Sequence, residues 1–251
     1  MAFKAIVFDL WETLIFEGSN IRSKWNEQRL SAFMDILHEW NPKIQPERIR
    51  NAYFEVQTKE KNKQRTDLVI LTPREQVELI LKSSNIPLNA IPDNIKEEIL
   101  QKYISVTLAT PPEINPEAKE VLQAIAGSGL KIGLISNTWS TPGMILRKIL
   151  EKYEIKQYFS FMLFSDEIGY PKPHKAIFNE ALKQFPSFEP HECAFVGDDY
   201  VADICGSKSV GMTAIWLCQD DQEFNSRIAR TQVCLDHRIR SLTSLPSLLT
   251  R

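Results

Sequence analysis

No apolar run in this chain approaches the ~18–20 residues that a helix needs to cross a bilayer. The apolar stretch at the N-terminus is broken by Lys4, Asp9 and Glu12, so it makes a poor secretory signal. Neither sign of charge dominates. Thirty Lys and Arg stand against 32 Asp and Glu, a net charge of −2, which argues against nucleic acid or a membrane surface as a partner held by bulk electrostatics. Cys193, Cys205, Cys218 and Cys234 have no CxxC spacing, and His38, His174, His191 and His237 are dispersed. Zinc and a disulfide framework are therefore disfavoured, and small buried thiols in a reducing cytoplasm are expected. There is no internal repeat and no low-complexity tract. What remains, 43% hydrophobic and 25% charged residues, is an ordinary soluble composition, and 251 residues suffice for one large domain or a core with a smaller insert.

Two textures divide the chain. Residues 3–8 read as a short buried strand, and similar runs recur at Lys131–Ser136, Ala194–Val196 and Thr213–Leu217, each bounded by Gly, Ser, Asn or Asp. Helical patterns lie between them. One is expected to start at Asn115-Pro116, with Asn as N-cap and Gly127 and Gly129 beyond its end; another carries Ala176, Ile177, Phe178, Ala181 and Leu182; a third spans Tyr200–Val210 and stops at Gly211. The polar stretch Gln219–Arg230 reads as a loop or a frayed helix. Alternation of strands and helices predicts an α/β fold with a Rossmann-like parallel sheet. Residues 16–110 differ. Apart from Leu68–Leu71 they hold no strand-like run, and apolar residues recur at helical spacing in four segments marked by Leu30–Trp40, Ile49–Val56, Val77–Leu81 and Ile95–Tyr103. Thr72-Pro73-Arg74-Glu75 is a capping box with Pro at the first helical position. The expectation is an inserted α-helical bundle over 16–110, closed by Thr110-Pro111-Pro112, with 1–15 and 111–251 forming the catalytic core.

Four elements fall at the ends of the expected strands: Asp9 with Thr13; Ser136-Asn137-Thr138; Lys172 within Gly169-Tyr170-Pro171-Lys172-Pro173; and Gly197-Asp198-Asp199-Tyr200-Val201-Ala202-Asp203. Each alone has a plain reading as a cap, a turn or a loop dipeptide. Together, at the carboxyl ends of parallel strands, they converge on one crevice. Asp9 there is a nucleophile or a metal ligand. The chemistry suggested is phosphoryl transfer. Asp9 and Asp198 share Mg²⁺, a hard ion that prefers carboxylate oxygens, and Asp9 attacks phosphorus to give an aspartyl-phosphate. Ser136, nearby backbone N–H groups and Lys172 hold the equatorial phosphate oxygens, while Asp199 or Asp203 completes the outer shell of the metal or orients Lys172.

The segments FDLWETL, ISNT, GYPKP and VGDDYVAD resemble, in order, the four motifs of the haloacid dehalogenase-like hydrolase superfamily, spanning about residues 3–217. The helical insertion matches members whose cap lies between the first two motifs. The resemblance implies that Asp9 is the nucleophile and a Mg²⁺ ligand, that the backbone carbonyl of Trp11 and the carboxylate of Asp198 complete the ligand set, and that Ser136 and Lys172 bind phosphate, with Thr13 and Asn137 on the substrate side. Asp203 fills the last acidic position. The expected substrate is a small phosphorylated metabolite.

One position departs from the pattern. Superfamily phosphatases usually carry Asp two residues after the nucleophile, where it protonates the leaving alcohol and later activates water. Trp11 can do neither, since an indole N–H is no acid at neutral pH and offers no acceptor. A positioned acid–base is worth roughly 10²–10⁴-fold. Three readings follow: a phosphatase that is slow or borrows an acid from the cap or Glu12; a metal-free 2-haloacid dehalogenase, whose relatives carry an aromatic residue here; or a vestigial enzyme that binds a ligand or partner. The acidic run at Asp198–Asp203 suits Mg²⁺ and would repel a carboxylate substrate, which favours the phosphatase.

Overall fold

The computed structural model describes residues 3–230 and 235–249, with the side chains of 228–230 outside that description; Cys234 lies outside the described residues. By its internal contacts the chain forms two units, residues 1–16, 113–137 and 150–251 in one, and residues 17–112 and 138–149 in the other.

The first unit is built on a parallel sheet. Its strands in chain order are β1 (Ala5–Phe8), β2 (Ile15–Phe16), β3 (Glu113–Ile114), β4 (Lys131–Ser136), β5 (Phe161–Phe164), β6 (Cys193–Gly197), β7 (Thr213–Leu217) and β8 (His237–Ile239). Six of them form one sheet in the order β5-β4-β1-β6-β7-β8, all parallel, with Phe8 opposite both Leu134 and Val196. β1 is central and fully buried, so it reads as an unbroken apolar run rather than an alternation. The order turns outward on either side of β1, and the carboxyl end of that strand is where an open α/β sheet makes its crevice. The short pair β2 and β3 is antiparallel and ties together the points where the chain leaves this unit and returns. One face of the sheet is filled by Val7, Ile135, Phe178, Phe195 and Met212, each burial of this size being worth ~1.5–3 kcal/mol.

The helices of the second unit are α1 (Ile21–Trp40), α2 (Pro46–Glu55), α3 (Lys61–Asp67), α4 (Pro73–Ser83) and α5 (Asp93–Ala109). A π-helical turn, Val56–Glu60, joins α2 to α3. The capping box at Thr72 forms in both directions. Phe33, Tyr53 and Tyr103 meet edge to face in the core of this unit, while Met34 and Trp40 of the expected apolar stripe are only half-buried. Leu68–Leu71 forms no strand; Leu68 is left-handed and the segment is an extended connection. Among the described residues no helix is long and apolar enough to cross a membrane.

The remaining helices are α6 (Ala118–Gly127), α7 (Gly143–Lys152), α8 (Ser165–Ile168), α9 (Lys175–Lys183), α10 (Gly206–Lys208), α11 (Asp221–Arg230) and α12 (Leu245–Leu249). α6 starts two residues later than the sequence suggests. Asn115 accepts from the Glu117 N–H at 3.0 Å, forming a turn ahead of the helix, and its amide reaches the Thr13 carbonyl at 2.9 Å. The helix expected over Tyr200–Val210 is π-helical from Tyr200 to Cys205 before it becomes α10. The stretch read as loop or frayed helix is α11.

Candidate active site

Asp9 extends β1 by one residue, its N–H donating to the Val196 carbonyl at 2.9 Å. The side chain is 5% exposed. One carboxylate oxygen, Oδ1, accepts from Lys172 Nζ, whereas Oδ2 is buried with no hydrogen-bond partner among the described residues. The loop that follows turns tightly: Leu14 and Ile15 N–H both donate to the Leu10 carbonyl, and Glu12 sits at φ +59° with its side chain exposed. Trp11 is half-buried and bridges to Ile15. Thr13 is fully buried, and its hydroxyl has no partner among the described residues.

Ser136 ends β4 and is fully buried. Asn137, next along, is half-buried and pairs with the Lys172 backbone, accepting from its N–H at 2.7 Å and donating to its carbonyl at 2.9 Å. Lys172 itself is 4% exposed. Besides Asp9, its ammonium reaches the Ile135 carbonyl at 3.1 Å and lies 2.7 Å from Asp203 Oδ1, an ion pair rather than an aligned hydrogen bond. It also stands 5.3 Å from the centre of the Phe195 ring.

The acidic run divides its labour. Asp198 is half-buried, and its carbonyl accepts from the indole N–H of the buried Trp216 at 2.8 Å. Asp199 caps the helical segment after it, accepting from the Val201 and Ala202 N–H groups at 2.9 Å. Asp203 is buried, and its Oδ2 accepts from the Asp199 N–H at 3.1 Å. Gly197 explains how Asp203 comes so close: a Cβ there would stand 2.2 Å from Asp203 Oδ2. One carboxylate oxygen from each of Asp9, Asp198 and Asp203 lies within 4.8 Å of the others.

Three acids against one ammonium leave this cluster overcharged. Burial first, then the charges of Asp9 and Asp203, push Asp198 up to about 8. Burial also raises Asp203, and Asp9 adds to it, while Lys172 opposes both effects. Burial alone would pull Lys172 down, but the Asp203 and Asp9 carboxylates override it and hold the group above the ordinary lysine range. The residues present fit a hard divalent cation, because the donors are carboxylate oxygens and one of them, Asp9 Oδ2, is buried without a partner among the described residues. Asp9, Asp198 and Asp203 could hold such an ion. Asp9, Lys172 and Asp203 are in direct contact, Asp198 joins them through its carboxylate, and Asp199 serves as a cap. The Trp216 anchor and the Asn137 pairing with Lys172 leave no mark in the sequence, since both depend on where the loops bend.

A model of the haloacid dehalogenase-like hydrolase family matches residues 3–211. Pyrimidine 5'-nucleotidase YjjG of Escherichia coli (strain K12) is 31% identical over 65% of this chain and 67% of its own length. The glyceraldehyde 3-phosphate phosphatase of Pyrococcus abyssi (strain GE5 / Orsay) is 38% identical over 41% of each chain. The matched segments span about half the length of the curated relatives. The fold is like that of a HAD phosphatase from Thermococcus onnurineus, with a TM-score of 0.62 at 22% identity over 98% of this chain and 97% of that one. With the parallel sheet, Asp9, Lys172, Asp198 and Asp203 gathered at the end of β1 and a family match over residues 3–211, this chain belongs to the haloacid dehalogenase-like hydrolases.

Proposed function

We propose that this hydrolase is a cytoplasmic, Mg²⁺-dependent phosphomonoesterase that acts on a small phosphorylated metabolite through an aspartyl-phosphate, with residues 16–110 as its cap. The observation that carries this reading is Asp9: buried at the central strand end, one oxygen on Lys172, the other unpartnered, and two further carboxylates within reach. The names of the Escherichia coli and Pyrococcus relatives support a phosphate ester as the substrate.

Asp9 attacks phosphorus, a bond from its carboxylate oxygen forms, and the bond to the leaving oxygen breaks. Water then cleaves the aspartyl-phosphate and frees inorganic phosphate. Lys172 has two tasks. It holds the Asp9 carboxylate in place, and it offsets charge on the transferring group. Ser136 and Thr13 present hydroxyls to the phosphate oxygens, and Asn137 stands beside them. Asp9, the Trp11 carbonyl and Asp198 would hold Mg²⁺, with Asp203 supporting, while Asp199 caps the segment that carries Asp203. When bound, the ion neutralises the repulsion between phosphate and carboxylate. Trp11 moves no proton, so the leaving group departs without help from that position. Aryl phosphates should therefore outpace alkyl phosphates; equal turnover of both would mean that another residue supplies the proton.

The aromatic residue at position 11 also favours a second reading, a metal-free 2-haloacid dehalogenase, because halide leaves without a proton. One experiment separates the two: release of nitrophenol from 4-nitrophenyl phosphate with Mg²⁺ and with chelator, beside chloride release from 2-chloropropionate. Metal-dependent phosphate release supports the phosphatase. Metal-independent halide release replaces it with the dehalogenase, and the absence of both leaves a binding protein.

A further inference from the structure

We propose that Asn137 is a positioning residue that sets the place of Lys172 through the lysine's own peptide. The lysine is held at both ends by the exit of β4. Its ammonium donates to the Ile135 carbonyl at 3.1 Å, and two residues further on the Asn137 carboxamide takes the Lys172 N–H at 2.7 Å and gives a hydrogen bond to the Lys172 carbonyl at 2.9 Å. Only one orientation of the amide satisfies both contacts, since a flipped group would set donor against donor and acceptor against acceptor.

The local sequence explains why a side chain is needed. Lys172 lies between Pro171 and Pro173, neither of which has a backbone N–H. Across these three residues the Lys172 amide is the sole backbone donor, and Asn137 takes it. The main chain supplies one turn here, the His174 N–H donating to the Pro171 carbonyl at 2.8 Å, and the peptide groups of Lys172 itself are met by the carboxamide. Asparagine suits the task because it carries a donor and an acceptor on one short planar group. Serine is too short to pair with both peptide atoms, and leucine has the size without the polarity. With its oxygen and one N–H spent on Lys172, the Asn137 side chain acts on the substrate through the lysine rather than by touching it.

Two measurements on the full chain test this. The first is amide exchange at Lys172, read by NMR or from a peptide covering residues 170–174. Asn137→Leu should speed exchange at Lys172 by about 100-fold while amides in β1 and β6 keep their protection, and Asn137→Asp, which retains the acceptor, should stay within about tenfold of the parent protein. If Asn137→Leu does not fold, Asn137→Ser carries the same expectation. Equal exchange at Lys172 in all folded proteins overturns the proposal. The second measurement rests on the phosphatase reading; the first does not, so the two can fail separately. In Asn137→Leu, kcat for 4-nitrophenyl phosphate should fall about 10- to 100-fold and inhibition by inorganic phosphate should weaken with it, because Lys172 faces the phosphate, and across the variants the fall should track the rise in Lys172 exchange. Loss of activity in a folded variant whose Lys172 exchange is unchanged would make Asn137 a substrate ligand and overturn the positioning role.

Discussion

A carboxylate buried at a strand end is costly unless its oxygens are met, and Asp9 has one oxygen on Lys172 and the other on nothing among the described residues. Asp9→Asn should reduce phosphate release to background while circular dichroism and the unfolding midpoint stay close to the parent; undiminished turnover would remove Asp9 as nucleophile. Trp11→Asp restores an ionisable group two residues on, and hydrolysis of alkyl phosphates should then rise, by up to about 10²-fold if the half-buried pocket accepts the lost volume. Gly197→Ala is the sharpest steric test, because the added methyl would meet Asp203 at 2.2 Å and must displace the carboxylate or the strand end. Activity should drop well beyond what one methyl group costs elsewhere. At this scale the acids and Lys172 were legible because short polar motifs stood at the ends of apolar runs. Asn137's attachment to Lys172, Asp199's use as a cap and Trp216's hold on the Asp198 carbonyl were not, since a residue's partner across 18 or 35 positions is decided by loop geometry.

Elements with a strong period were read closely: β4 and β7 match the expected bounds, and Thr72 opens α4 as a capping box. β5 and β8 carry no strand signal in the sequence because they are short strands at the two edges of the sheet, and β8 holds His237 and Arg238 in three residues. Residues 138–149 carry nothing in their composition that marks them as part of the helical unit, yet a buried polar network places them there. Tyr103 is its centre. Its hydroxyl contacts Gln57 at 2.7 Å, Gln76 at 2.7 Å and Ser140 at 2.9 Å, while Trp139 donates to Gln57 at 2.8 Å and Gln64 to the Thr138 carbonyl at 2.8 Å. Tyr103→Phe keeps the ring packing and strands those polar groups, so it should destabilise the protein by about 1–3 kcal/mol in denaturant unfolding. Thr72→Ala, which removes only an exposed cap, should cost about 1 kcal/mol. A Tyr103→Phe loss no larger than that of Thr72→Ala would mean the network is not held together by this hydroxyl.

Across the whole molecule the near-neutral balance of charge hides a concentration of acid at one point, and this imbalance has a sign that unfolding can read. Asp198 is pushed up to about 8 and Asp203 is raised too, both from an ordinary value of 3.8. Between those limits the folded, metal-free protein binds more protons than the unfolded chain, so these groups contribute stability at low pH that is lost as pH rises from about 4 towards about 8. The surface acids held low by lysine or arginine, Asp93, Glu97, Glu154, Glu192 and Asp221, work in the opposite sense, but they do so below the ordinary carboxylate range. Lys172, raised above 10.5, loses its contribution only at higher pH. The window between about pH 5 and about pH 8 therefore isolates the cluster. Urea unfolding of chelator-treated protein should show stability falling across that window, and Asp198→Asn should flatten the slope. Mg²⁺ should reverse the trend, stabilising little at the acid end, where the ligands are protonated, and most at the alkaline end. Stability that climbs with pH in the metal-free protein, or a Mg²⁺ effect independent of pH, would show that Asp9, Asp198 and Asp203 do not form the charge cluster through which this site takes its metal.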